Sequence, residues 1–154
     1  MLKRVLMALT VGAVADTATQ ALAVDEPANI VKYRQSVMKA IGGHTGAIAG
    51  VVKGEVSFVK AVGGNAHAIN ELSKQITMLF PKGTGKDAGL ETRALPKIWE
   101  DMGGFEAAAK KLEEESAKLA KVAEGGDVAA IGAQFENVGK ACGGCHKPYR
   151  EEKK

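Results

Sequence analysis

The chain has 154 residues, with 21 Lys and Arg against 18 Asp and Glu for a formal charge of +3, and only 5% aromatic residues. That length buries one core and is short for two. The basic residues are interspersed with acidic ones instead of being gathered on one face with aromatics, which argues against a nucleic-acid groove and for a solvated mixed-charge surface.

Met1 to Arg4 supplies a positive start, Val5 to Val14 an apolar run and Ala21-Leu22-Ala23 a small-x-small cleavage signal. An apolar run of roughly ten residues is about half of what a bilayer-spanning helix needs, and Asp16 interrupts its extension. Residues 1–23 are therefore predicted to be a secretory signal peptide, cleaved near Ala23 and leading to the periplasm. Loss of Lys3, Arg4 and Asp16 takes the formal charge from +3 to +2. Residues 24–154 form the predicted single domain, with no further segment suited to stable membrane insertion.

Strand signals are nearly absent, and Ala, Lys, Glu and Leu dominate several long windows, so the domain is predicted to be all-α. The first helix begins near Asp25 and Pro27, as an N-cap followed by proline in the first turn, and ends at Lys53-Gly54. Its apolar positions are Ile30, Val37, Met38, Ile41, Ile48 and Val52. A second helix carries Val62, Ile69, Leu72, Ile76 and Leu79 and stops at Phe80-Pro81. The segment from Pro81 to Pro96 is rich in Gly, Pro and polar residues and reads as the longest loop. A third helix starts at Pro96 and carries Ile98, Met102, Phe105, Ala109, Leu112 and Leu119 until Gly125-Gly126 breaks it. Asp127 caps the fourth, whose stripe is Ile131, Phe135, Val138, Cys142, Cys145 and Tyr149. Four such helices pack most simply as an antiparallel bundle.

Glycine pairs inside predicted helices cost about 1 kcal/mol per glycine relative to alanine. At Gly42-Gly43, one turn beyond Met38, the missing side chains suit a flat cofactor lying close to the backbone. Gly63-Gly64 and Gly103-Gly104 read as loose helix with local bends.

Cys142-Gly143-Gly144-Cys145-His146 is the one strong motif. Its spacing puts two thiols one helical turn apart with an imidazole directly after the second, the pattern of covalent haem attachment. His146 lies four residues after Cys142 and shares its face, so it is the candidate axial ligand to iron. Three other readings compete. A thioredoxin-like redox pair needs a strand leading into the helix. A zinc site needs four ligands, with only His44 and His67 left to complete it. A plain Cys142–Cys145 disulfide leaves the adjacent histidine without a role.

The segments GKACGGCHKPYR, YRQSVMKAIGGHTGAIAGVVKGE, FPKGTG and ALPKIWEDMGGF resemble the class II cytochromes c across the whole mature chain. The resemblance implies a four-helix bundle with one covalently bound haem c, Cys142 and Cys145 as thioether anchors and His146 as the proximal ligand. It implies that Met38 faces the distal side of the haem and, in the low-spin branch that this context looks most like, serves as the second axial ligand. Arg34 and Arg150 are implied as contacts to the haem propionates, and a homodimer through the first two helices is a frequent arrangement in the family. A His/Met pair makes an electron carrier with a raised potential, and no catalytic acid, base or nucleophile is evident. The alternative is a high-spin, five-coordinate cytochrome c′ that binds nitric oxide or carbon monoxide, with Met38 only lining the pocket. His44 and His67 read as solvent-facing or hydrogen-bonded, and Trp99, Tyr33 and Tyr149 as packing residues. Lys147, Arg150, Lys153 and Lys154 either steer an acidic redox partner or pair with the helix dipole.

Overall fold

The computed structural model describes residues 25–152. The predicted signal peptide and the Lys153-Lys154 end of the basic cluster lie outside them. Among the described residues five α-helices form: α1 Pro27–Val52, α2 Val62–Ser73, the one-turn α3 Lys97–Glu100, α4 Met102–Ala123 and α5 Val128–Tyr149. The four long ones pack as the predicted bundle. α2 lies along α4, α4 along α5 and α1 along α2, whereas α1 and α5 meet over a shorter stretch.

The core follows the 3.6-residue period, with Ile48, Ile69, Leu119, Ile131 and Val138 fully buried. At its ends the α1 stripe is offset by one residue from the sequence reading, because Val31 and Val51 are buried while Ile30 and Val52 are half-buried. The helix starts at Pro27 behind Glu26 with no side-chain cap, so Asp25 does not play that part. Gly54 and Gly126 take positive φ (74° and 68°) and end α1 and α4 as expected. Asp127 caps α5 by accepting from the N–H groups of Ala129 (2.8 Å) and Ala130 (3.3 Å).

Two predicted helices come out divided. α2 ends at Ser73, and a 3-10 turn over Thr77–Leu79 then buries Ile76 and Leu79 without continuing the α-helix. The predicted third helix is broken at Asp101 (φ −131°, ψ 57°), the N-cap of α4, whose carboxylate accepts from Gly104 N–H at 3.1 Å. Tyr149 at the end of α5 donates its hydroxyl to the same carboxylate at 2.8 Å. That bond and the Gly104 N–H hold the Asp101 carboxyl below the ordinary range, while the tyrosine is pushed up to about 12. A Cβ on Gly104 would strike the Asp101 carboxylate and lie 2.5 Å from Tyr149 Oη. This glycine answers a tight contact, which corrects its reading as loose helix. Tyr149 also closes an aromatic row, edge-on to Phe105 (5.3 Å between centroids), which is edge-on to Phe80 (4.9 Å).

Residues 81–96, from here the strap, cross the end of the bundle where α5 finishes. An isolated antiparallel bridge joins Ala94 to Arg150, with Leu95 N–H donating to Tyr149 O (3.0 Å) and Glu151 N–H to Arg93 O (2.8 Å). Lys86 and Glu151 form an ion pair across the same junction. No helix among the described residues is long and apolar enough to cross a membrane.

Candidate cofactor site

Between the strap and the bundle lies a cavity of about 820 Å³. One wall is the last two turns of α5 with Cys142, Cys145, His146 and Tyr149; another is α1 with Met38, Ile41, Gly42 and Thr45. Phe105, Ala109 and Leu112 of α4 add an apolar wall, and Thr92, Arg93 and Ala94 of the strap close the side. Helical period alone brings the α5 residues together, since positions 142, 145, 146 and 149 recur on one face.

Both cysteines are half-buried free thiols, so the disulfide reading fails. Burial pushes both thiols up, Cys145 to about 11, with the neighbouring Cys142 adding to the effect there. They are thus held as S–H groups. His146 is half-buried, and burial together with the Arg150 and Arg93 charges holds its imidazole below the ordinary value. A neutral imidazole is the form that binds a metal. Arg150 Nη1 lies 3.4 Å from His146 Nε2. Among the described residues no cluster of three or more His, Cys, Asp or Glu stands ready for a metal ion, which removes the zinc reading, and no strand leads into α5.

The structure brings Met38, Arg34 and Arg150 to the same cavity. Met38 is half-buried and packs against the core cluster. Arg34 is 2% exposed, and its terminal nitrogens reach Thr84, Thr92 and Leu79 of the strap and the turn before it. Sequence reasoning missed Arg93, which lies in the predicted loop away from any motif; its only signal was a basic residue two positions after Glu91 in a segment that the fold returns to α5. His44 is hydrogen-bonded to Asn65 across α1 and α2 (2.9 Å), and His67 is exposed. Neither lines the cavity. Trp99 donates its indole N–H to Phe80 O (2.9 Å), consistent with a packing role.

A flat macrocycle with two vinyl groups fits these residues. The cavity has the volume, its apolar lining exceeds its polar lining, and both thiols remain unpaired beside an imidazole. A Cβ built on Gly42 would meet nothing within 4 Å, so this glycine borders open space in the cavity wall.

Comparison with known proteins gives the same result from outside the structure. The family model for cytochrome c′ matches residues 29–150. Cytochrome c′ from Rhodospirillum rubrum is 34% identical over 151 residues, covering 98% of this chain and 100% of that protein. The crystal structure of cytochrome c′ from Rubrivivax gelatinosus superposes with a TM-score of 0.75 at 35% identity, covering 84% of this chain and 100% of that one. The nitric oxide complex of a cytochrome c prime variant from Alcaligenes xylosoxidans gives a TM-score of 0.73 at 30% identity, covering 82% and 98%.

These findings overturn the expectation of a low-spin His/Met electron carrier. The three proteins compared above are cytochromes c′, and one of them is solved as a nitric oxide complex. Physically, Met38 behaves here as a flexible apolar filler against the core. On the family match and the fold together, this chain belongs to the cytochrome c′ family, whose members carry one covalently attached haem c.

Proposed function

We propose that Cys142 and Cys145 hold the haem as thioethers, that His146 is its axial ligand, and that the protein binds nitric oxide and carbon monoxide. The observation that carries this reading is the single cavity into which both unpaired thiols, His146 and Met38 open. The haem iron, when bound, supplies one open coordination position for a diatomic ligand. The chain does the rest. α5 fixes the two sulfurs and the imidazole one turn apart on a rigid helix. Met38, Ile41 and Gly42 keep the facing wall apolar. The hydroxyl of Thr45 donates to Ile41 O (2.7 Å) and one N–H of Gln35 Nε2 to Glu91 O (2.9 Å). An apolar facing wall on α1 suits nitric oxide and carbon monoxide, whose binding does not depend on a hydrogen bond. The role proposed is ligand binding, and the N-terminal segment is proposed to direct export to the periplasm before the haem is attached.

Paramagnetic resonance and optical spectra of the purified ferric and reduced protein test this. A high-spin ferric signal, a spectral shift on adding carbon monoxide, and the same signals in Met38→Leu are expected. A low-spin ferric signal that Met38→Leu converts to high spin would sink the proposal.

A further inference from the structure

Arg34 and Arg93 both line the cavity, and their hydrogen bonds separate their tasks. A guanidinium has five N–H donors, four of them on its two terminal nitrogens. On Arg34 all four are engaged. Nη1 donates to Thr84 Oγ1 (2.8 Å) and Leu79 O (3.5 Å), and Nη2 to Thr84 O (2.7 Å) and Thr92 Oγ1 (2.9 Å). The guanidinium carbon sits 4.5 Å from the centroid of the Phe80 ring. Thr84 and Thr92 are themselves buried, so these bonds are shielded from water. A two-point grasp of a carboxylate uses at least one terminal nitrogen of the fork. Arg34 has none to offer, which sets aside the propionate role that the family resemblance implied for it.

Arg93 is the opposite case. Its backbone is pinned through Glu151 N–H and its neighbour Ala94 is bridged to Arg150. Its side chain makes one long hydrogen bond, from Nη1 to Glu151 O at 3.4 Å. The strap therefore delivers a fixed backbone and a largely unspent fork to the cavity mouth, on the segment paired with Arg150.

We propose that Arg34 is a positioning residue that clamps the strap over the cavity, and that Arg93, so delivered beside Arg150, binds a carboxylate of the haem. Arg93 and Arg150 bring two guanidinium groups to the cavity that Glu91 and Glu151 also line, and the macrocycle carries two carboxylates on one edge. The Arg93 assignment rests on the reading that this cavity takes haem; the Arg34 clamp does not.

The test uses the haem-carrying protein and the variants Arg34→Lys and Arg93→Gln. Backbone hydrogen exchange across 83–95 is read by mass spectrometry, and the haem carboxylate titration and the reduction potential by optical spectroscopy. Lysine has three donors on a point charge and cannot meet four acceptors in one plane, so R34K should speed exchange in the strap about ten-fold or more. R93Q should leave exchange within about two-fold, raise the carboxylate titration and lower the potential, because a positive charge beside the haem has gone. Unchanged exchange in R34K overturns the clamp. An unmoved titration and potential in R93Q overturns the carboxylate assignment, and movement of both in R34K alone hands that role back to Arg34. A chain whose mass shows no covalent haem refutes the functional reading and the Arg93 assignment with it, while strap exchange in R34K still decides the clamp.

Discussion

The two halves of the bundle are stabilised by different means. Away from the cavity, Leu119, Ile131, Ile48 and Ile69 close a core without exposed surface. At the cavity end the helices leave a void of about 820 Å³, and beside the Phe80–Phe105–Tyr149 row its walls are tied by polar contacts: the Arg34 clamp, the Asp101–Tyr149 hydrogen bond and the bridge from Ala94 to Arg150. A fold that reserves space for a rigid group gives up the packing that would otherwise fix its walls. It then has to fix them with directional bonds.

The largest effect that separates the halves comes from removing what fills the void. Cys142→Ser with Cys145→Ser should abolish covalent haem, read as loss of the haem mass in the intact protein, and should expose the strap to proteolysis while leaving the helical circular dichroism near its wild-type value. Loss of helix throughout would show that the cavity half supports the other. Next is Leu119→Ala in the sealed half, which should cost about 2–5 kcal/mol by denaturant unfolding and leave the haem spectrum unchanged. A spectral change would mean that the halves are not separable.

The smallest effect concerns Glu115, a carboxylate buried on α4 in the sealed half. Lys111, Gln134 of α5 and Lys118 hold it at about 2, below its ordinary 4.5. A depressed carboxyl stabilises the fold fully above its unfolded value, and that contribution is lost as pH falls from about 4.5 through about 2. Glu115→Gln should therefore lose less stability than the parent on acidification across that window, measured as the shift in thermal midpoint. Parallel curves would mean that the Gln134 and lysine contacts do not persist in solution.

The helices and the motif were legible because both are periodic and local. Cys142, Cys145, His146 and Tyr149 are neighbours in sequence, and one helical turn is enough to place them together. What sequence could not supply was long-range and polar. Arg34 falls on the buried stripe of α1 between Val31 and Val37, a position that a hydrophobic pattern skips, because its partners Thr84 and Thr92 lie 50 and 58 residues away. The break at Asp101 was hidden for a similar reason. An aspartate followed three residues later by glycine looks like helix interior until Tyr149 is known to press on both. Glu115, which no motif singles out, is a buried link to Gln134.

The strap's anchors also bear on the order of folding. Its ties join residues 50, 58 and 65 positions apart, whereas each long helix is built from contacts within a turn. Loop-closure entropy delays contacts of that span, so the helices should assemble first and the strap last. For an interval the two thiols and His146 would face a cavity that the strap has not yet covered. Pulse-labelling hydrogen exchange during refolding should show protection at 92–95 arriving after protection in α4; simultaneous protection would remove this interval.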